Sequence, residues 1–328
     1  MLAVAPAAEP PGFRPRLVET AEPLPGPDEV LLEVRATALN RADLLQLRGQ
    51  YPPPPGEPEP PGLECAGEIL EAGAEVRGWA VGDRVMALLG GGGHAERVAV
   101  PIGQLLPVPD SFCWAEAAAL PEAALTAWTN LVAEGGLEPG ETVLISGASG
   151  GVGSFAVQLA HQLGATVVAA GRDLERLEAL RSMGADHLLR DDDKLPKRLR
   201  RATGRGADLV FDTVSGGRLP SHLAALGQRG RLVLVGLMAG PKAELDLALV
   251  LRRRLRVIGS VLRSRPRAEK ARLVAAFGDF AAERLNDGRL QPLVDRCFPF
   301  ERIAEAYAAM EAGGLLGKIV VERPRTAT

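Results

Sequence analysis

The stretch Thr142-Val143-Leu144-Ile145-Ser146-Gly147-Ala148-Ser149-Gly150-Gly151-Val152-Gly153 constrains the fold of this chain more than any other. A short apolar run leads directly into glycines, and the glycines open a segment over 152–163 with helical apolar spacing. Strand, glycine loop and helix in that order are the first half of a dinucleotide-binding βαβ unit. The glycines let the backbone turn tightly and approach a pyrophosphate closely. A helix starting near Gly151 then offers unpaired N–H groups and a positive dipole end to the phosphates. The pattern nominates Ser149, Gly150, Gly151, Val152 and Gly153 as cofactor-binding residues.

The flanking sequence supplies the rest of that unit. Short apolar runs at 142–145, 166–170, 187–189, 208–211, 231–235 and 256–259 predict six strands with helical stretches between most of them. Near-continuous apolar strands suit a parallel sheet covered on both faces, the doubly wound Rossmann arrangement. Before residue 118 the character differs. Runs at 29–38, 65–72, 83–88 and 95–100 are separated by Pro52–Pro55, Gly78 and Gly90–Gly93, and few are joined by helices. That region reads as a strand-rich, partly open barrel. Helices at 269–285 and 300–310 and a strand at 318–322 are too small to fold alone, so the tail is expected to complete the first domain.

The end of the second Rossmann strand selects the cofactor. It reads Ala169-Ala170-Gly171-Arg172-Asp173, where an NAD site needs a carboxylate on the ribose hydroxyls. Arg172 beside Gly171 suits a 2′-phosphate instead, a charge-assisted contact of roughly 1.5–3 kcal/mol. Asp173, turned inward, would serve as the ribose carboxylate, but it stands just before a helix, where N-capping is a sufficient role. The expectation is NADPH.

Composition excludes several other classes. A net charge of −3 argues against a general nucleic-acid surface, and no apolar run reaches the roughly 18 residues of a membrane helix. Met1–Pro6 carries no basic region ahead of a long apolar run, so no secretory leader is expected. Three scattered cysteines suggest neither a disulfide framework nor a thiolate metal site, which points to a reducing cytoplasm. The four histidines, His94, His161, His187 and His222, lie at no metal-type spacing and read as surface or sheet-edge residues.

Motifs in order along nearly the whole chain carry a resemblance. They include Asn40-Arg41-Ala42-Asp43-Leu44, Gln50-Tyr51-Pro52-Pro53, Gly62-Leu63-Glu64, Val81-Gly82-Asp83-Arg84-Val85 and Ala118-Ala119-Leu120-Pro121-Glu122. Gly236-Leu237-Met238 and Gly317-Lys318-Ile319-Val320 follow the glycine loop. Together they resemble the medium-chain dehydrogenase/reductases, and within them the zinc-free, zeta-crystallin-type quinone oxidoreductases. The Asn-Arg-Ala-Asp-Leu and Leu262-Arg263-Ser264-Arg265 forms are similar to a stress-inducible subgroup. The resemblance implies an α/β protein with a GroES-like catalytic domain over 1–118, completed by 262–328, and a Rossmann domain over 119–261. Zinc-dependent relatives place Cys where Asn40 stands and His where Leu63 stands, so no metal is implied here.

By the same resemblance the protein reduces quinones or related conjugated carbonyls with NADPH. An enoyl- or alkenal-reductase, or an NADPH-binding regulatory or RNA-binding protein with little turnover, are the alternatives. Asn40 and Tyr51 are implied to lie beside the nicotinamide and to donate to a carbonyl oxygen as charge develops. Capping of a helix at Arg41 is the plainer reading of Asn40, and packing on the proline run that of Tyr51. Thr126, Gly236, Leu237, Met238, Leu262, Arg263 and Lys318 are implied cofactor neighbours, while Glu64 reads as the structural partner of an arginine. The strand at 256–259 would be the last of the Rossmann sheet, and this family commonly pairs that edge in a homodimer.

Overall fold

The computed structural model describes residues 1–6 and 14–323. The chain divides into two compact units, one of Met1–Leu125 with Arg263–Thr328 and one of Thr126–Leu262.

The first unit is built on a mixed seven-stranded sheet. Its path runs Val294–Pro299, Lys318–Glu322, Glu29–Ala38, Glu64–Ala72, Arg84–Leu88 and Leu105–Pro107, with Arg97–Pro101 also paired to Glu29–Ala38. The long strand Glu29–Ala38 alternates, so Val30, Leu32 and Val34 share a core with Cys65, Ile69, Val85 and Val98. Strand Lys318–Glu322 pairs antiparallel with its far end, Val320 opposite Ala38. The tail is part of the first unit, and besides Lys318–Glu322 it brings the strand Val294–Pro299, which has no counterpart among the runs read from sequence. Val294–Pro299 lies at the edge of this sheet, and its Asp295, Arg296 and exposed Cys297 give it no apolar period to read. Charge on an edge strand discourages unwanted pairing. A second core joins Leu39, Leu44 and Leu47 to Phe300, Ile303, Tyr307 and Ile319.

The second unit holds six parallel strands. Their order is His187–Arg190, Thr166–Gly171, Thr142–Ser146, Ala207–Asp212, Leu226–Leu234 and Arg256–Gly259. Every residue of Thr142–Ser146 is buried, as a central strand covered on both faces requires. The chain winds outward from this strand in one direction, then crosses to Ala207–Asp212 and winds the other way. Ser146 and Asp212 are thus the carboxyl ends of the two strands that flank the topological switch point, where open α/β sheets bind ligands.

Candidate active site

In the second unit, Gly147, Gly150 and Gly153 of the loop differ in what surrounds them. Gly147 has φ +62°, and a Cβ there would lie 2.3 Å from the Thr213 hydroxyl. A Cβ on Gly153 would lie 2.4 Å from the Gly147 carbonyl oxygen, so this glycine serves close packing of helix Gly151–Gln162 on the turn at Gly147 and Ala148. Gly150 is different. Its φ of −74° suits any residue, and the nearest atom to an added Cβ is 3.5 Å away. Nothing inside the protein requires glycine there, whereas a pyrophosphate drawn close to the backbone would. As the N-cap, Gly150 has no side chain to satisfy the first N–H groups of the helix. Ser149, Gly150, Gly151 and Val152 are partly exposed, and Gly153 is buried.

Strand Thr166–Gly171 ends at Gly171, followed by exposed Arg172. Asp173 caps helix Leu174–Leu177, accepting from the Arg176 N–H at 3.2 Å and pairing with the Arg176 guanidinium at 3.1 Å. Its carboxylate is thereby engaged. Arg172 has no protein partner among the described residues. Gly236 packs against Thr213, its absent Cβ 2.6 Å from the Thr213 carbonyl oxygen, so the turn before Leu237 meets the turn that supports Gly147. Leu237 and Met238 are 56% and 61% exposed, whereas Thr126 and Leu262 are buried.

In the first unit, Asn40, Glu64 and Lys318 form one buried cluster. Lys318 Nζ donates to Asn40 Oδ1 at 2.6 Å and to Glu64 Oε1 at 2.5 Å, and Asn40 Nδ2 donates to Glu64 Oε1 at 2.8 Å. The partner of Glu64 is therefore a lysine brought by the last strand, not an arginine. The other carboxylate oxygen of Glu64 accepts from the Glu122 N–H at 2.8 Å. Burial, and then the neighbouring Glu64, push the Glu122 carboxyl up to about 8, so it keeps its proton at neutral pH. Asn40 stands at the N-cap of helix Arg41–Leu47, where Asp43 accepts from the Asn40 N–H at 2.7 Å and from the Gly62 N–H at 3.0 Å.

Tyr51 lies under the guanidinium of Arg263, 5.1 Å from its ring centroid. Arg263 is only 4% exposed, and donates to the carbonyls of Gly90 and Tyr51 and to Gln46 Oε1 at 2.7–3.1 Å. Burial first, and then the Glu122 carboxylate at the alkaline pH where a phenol titrates, raise the Tyr51 phenol above its ordinary range, against an opposing pull from Arg263, so the phenol remains a donor. The histidines correct the sequence reading in two places. His94 and His222 are fully buried rather than at the surface, with His94 Nδ1 2.8 Å from the Tyr307 hydroxyl and His222 set between Asp191 and Asp212. Glu122, Asp43, Asp191 and Asp212 have no role assigned from sequence, because isolated polar residues carry no periodic signal of burial.

Two family models match this chain. An alcohol dehydrogenase GroES-like domain covers residues 26–110 and a zinc-binding dehydrogenase model covers 151–277. A GroES-like unit and a Rossmann unit in one chain define a two-domain oxidoreductase. The human synaptic vesicle membrane protein VAT-1 homolog is 32% identical, over 92% of this chain and 80% of its own length. A quinone oxidoreductase-like protein 2 from Bos taurus is 30% identical, over 94% and 89%. A mycobacterial protein solved with NADPH superposes with a TM-score of 0.86 at 26% identity, over 98% of this chain and all of its own. The chain belongs to the medium-chain dehydrogenase/reductase family, in its zinc-free, quinone-oxidoreductase-type branch.

Its residues do not fit the zinc that one family description mentions. The oxygens of Asn40 and Glu64 face the Lys318 ammonium, which a metal ion would have to displace. Next to Glu64, the Cys65 thiol is fully buried and pushed far up by burial and then by Glu64, so it is no thiolate ligand. His94 is committed to Tyr307, and no group of three His, Cys, Asp or Glu side chains is placed to hold a metal ion among the described residues.

Proposed function

We propose that this protein is an NADPH-dependent reductase of quinones or related conjugated carbonyl compounds. The observation that carries the reading is Tyr51, a phenol held protonated beneath a fixed guanidinium in a unit whose residues do not suit a metal. Without a metal to polarise a simple carbonyl, the acceptor must be electrophilic already. Conjugated acceptors are, and the oxyanion formed on them is delocalised, so one or two oriented donors suffice. NADPH, when bound, supplies the hydride. The chain's own part is to bind and orient. Ser149–Val152 and the open start of helix Gly151–Gln162 suit the pyrophosphate, and Arg172 suits the 2′-phosphate. Gly171, Gly236, Leu237, Met238, Thr126 and Leu262 are assigned to the remaining cofactor surface of the second unit. Tyr51 donates to the acceptor oxygen, with Arg263 fixing its segment. Asn40 is assigned to orient the same region through Glu64 and Lys318. Proton-bearing Glu122 is a local source to restore a proton given up by the tyrosine.

Substituting Tyr51→Phe removes one hydrogen bond to a developing charge. Turnover is expected to fall about tenfold with NADPH affinity nearly unchanged. Unchanged turnover in a steady-state assay would reduce Tyr51 to a packing residue. For Arg172→Ala, fluorescence titration is expected to show NADPH binding weakened about tenfold or more and NADH binding by less than about twofold. Equal losses for the two cofactors would remove Arg172 from the 2′-phosphate site.

The same reading includes a homodimer working in a reducing cytoplasm. Strand Arg256–Gly259 is a sheet edge with Val257 40% exposed, and Leu247 and Leu251 of the preceding helix are 66% and 77% exposed. Pairing two such edges about a two-fold axis satisfies their free backbone groups and covers the apolar side chains. Sedimentation at micromolar concentration is expected to give twice the chain mass, and a monomer would contradict the assignment. The described cysteines Cys65, Cys113 and Cys297 are all free thiols, which suits the reducing compartment. Among the described residues, no helix is long and apolar enough to cross a membrane.

A further inference from the structure

A buried charged relay underlies the switch point of the second unit. Asp212, the last residue of its strand, accepts three hydrogen bonds at one carboxylate oxygen: from Ser146 Oγ at 3.0 Å, Val214 N at 2.9 Å and Ser215 N at 2.8 Å. Ser146 Oγ in turn accepts from Thr213 N at 3.0 Å, and the Thr213 hydroxyl donates to the Ser146 carbonyl at 2.9 Å. That carbonyl immediately precedes Gly147, and the same Thr213 hydroxyl closes the space beside Gly147. Ser215 is held at φ +52°, a conformation a non-glycine residue keeps only when its surroundings enforce it. Displacing Asp212 would therefore move the base of the glycine loop.

What holds Asp212 is His222, on helix Leu219–Ala225. Its Nδ1 lies 3.0 Å from Asp212 Oδ2, an ion-pair contact not aligned as a hydrogen bond, and its Nε2 lies 3.2 Å from both oxygens of Asp191. Both His222 and Asp212 are wholly buried. The other charges facing the group are accounted for. Arg218 pairs with Asp191 at 3.2 Å and with Asp193 at 2.9 Å, and Asp192 is turned to Arg198 at 2.8 Å. None of these residues belongs to the glycine fingerprint or to the acceptor site.

We infer that His222 is a positioning residue for the cofactor loop, whose imidazolium, clamped between Asp191 and Asp212, fixes Ser146 and the 213–215 turn and so sets dinucleotide affinity. Neutral imidazole keeps the shape but leaves Asp212 as a buried carboxylate without a counter-charge, and its hydrogen bonds to the loop are then free to rearrange. Burial alone would lower the pKa of His222. The two carboxylates outweigh it and raise the group to about 9, so the imidazolium is present at neutral pH and lost as pH rises through that value. Burial, by contrast, would lift Asp212, but His222 and then the Ser215 and Val214 amides hold it below the ordinary range.

The test is fluorescence titration of NADPH against the full-length protein across pH, with circular dichroism at each point to establish that the fold persists. Binding by the wild type at neutral pH tests the cofactor reading on which this rests. The alkaline limb tests His222. Affinity is expected to be flat around neutrality and to weaken about tenfold above pH 9 or so, the difference between a charge-assisted and a neutral hydrogen-bonded clamp. His222→Asn is expected to bind about tenfold more weakly at neutral pH and to lack the limb. Asp191→Asn retains the histidine but removes one carboxylate, and should shift the limb toward neutrality. A folded His222→Asn protein with the wild-type limb, or a folded Asp191→Asn protein whose limb does not move, would overturn the assignment.

Discussion

Lys318→Met is expected to destabilise the protein by about 3–5 kcal/mol, the range for breaking a buried ion pair by removal of one partner. Lys318 is 3% exposed, and its ammonium is held by Asn40 and Glu64 at 2.6 and 2.5 Å. Methionine fills a similar volume, so little of the loss comes from packing. The cost arises because Glu64, at 0% exposure, is left with only the Asn40 amide and the Glu122 N–H as donors. The strand that carries Lys318 is also what ties the tail to Glu29–Ala38. Urea unfolding followed by circular dichroism measures the effect. Adding Glu64→Gln should restore more than half of it, since a neutral amide in that place no longer needs a counter-charge. If Lys318→Met unfolds at the wild-type midpoint, the pair contributes nothing and the cluster is not the support of the site that it is taken to be.

The second large effect concerns ligand rather than fold. Gly150→Ala is expected to leave stability within about 0.5 kcal/mol of wild type while weakening NADPH binding about a hundredfold. The backbone at Gly150 already has φ −74°, and an added methyl group meets nothing nearer than 3.5 Å. Only a ligand brought against that backbone would notice the substitution. Gly153→Ala gives the opposite pattern. Its methyl group would press on the Gly147 carbonyl at 2.4 Å, and about 1–3 kcal/mol of stability should be lost through overpacking. Thermal unfolding and cofactor titration on the two variants separate the effects. Equal affinity for wild type and Gly150→Ala would place the pyrophosphate elsewhere.

The parts of this molecule that could be read from sequence are those with local periodicity. Strands Glu29–Ala38, Arg256–Gly259 and Lys318–Glu322 stand where their β-branched runs placed them, and the glycine loop was legible because it sits between an apolar strand and an apolar helix face. Asp173 carried its own signal as well, an acidic residue directly before a short helix. Strands Leu2–Pro6 and Pro15–Glu19 were hidden by their prolines and brevity, and Val294–Pro299 by its charges. The polar clusters were illegible for a different reason. Asn40 and Lys318 are 278 positions apart and Glu64 and Lys318 are 254 apart, so their meeting is set by strand pairing, which no local pattern encodes. His222 likewise looks like any polar residue on a short helix until the sheet order places Asp191 and Asp212 on either side of it.

The proposed reaction is tested most directly by following NADPH consumption through its near-ultraviolet absorbance. The panel holds ortho- and para-quinones, an alkenal, an enoyl thioester and a simple ketone, each with and without a chelator. The expected result is chelator-insensitive turnover of the quinones, slower turnover of the alkenal, none of the ketone, and turnover about tenfold lower in Tyr51→Phe. A preference for the enoyl thioester would move the protein to the enoyl reductases of the same family. Turnover of the ketone abolished by the chelator, or tight NADPH binding without turnover of any acceptor, would contradict the proposed reaction.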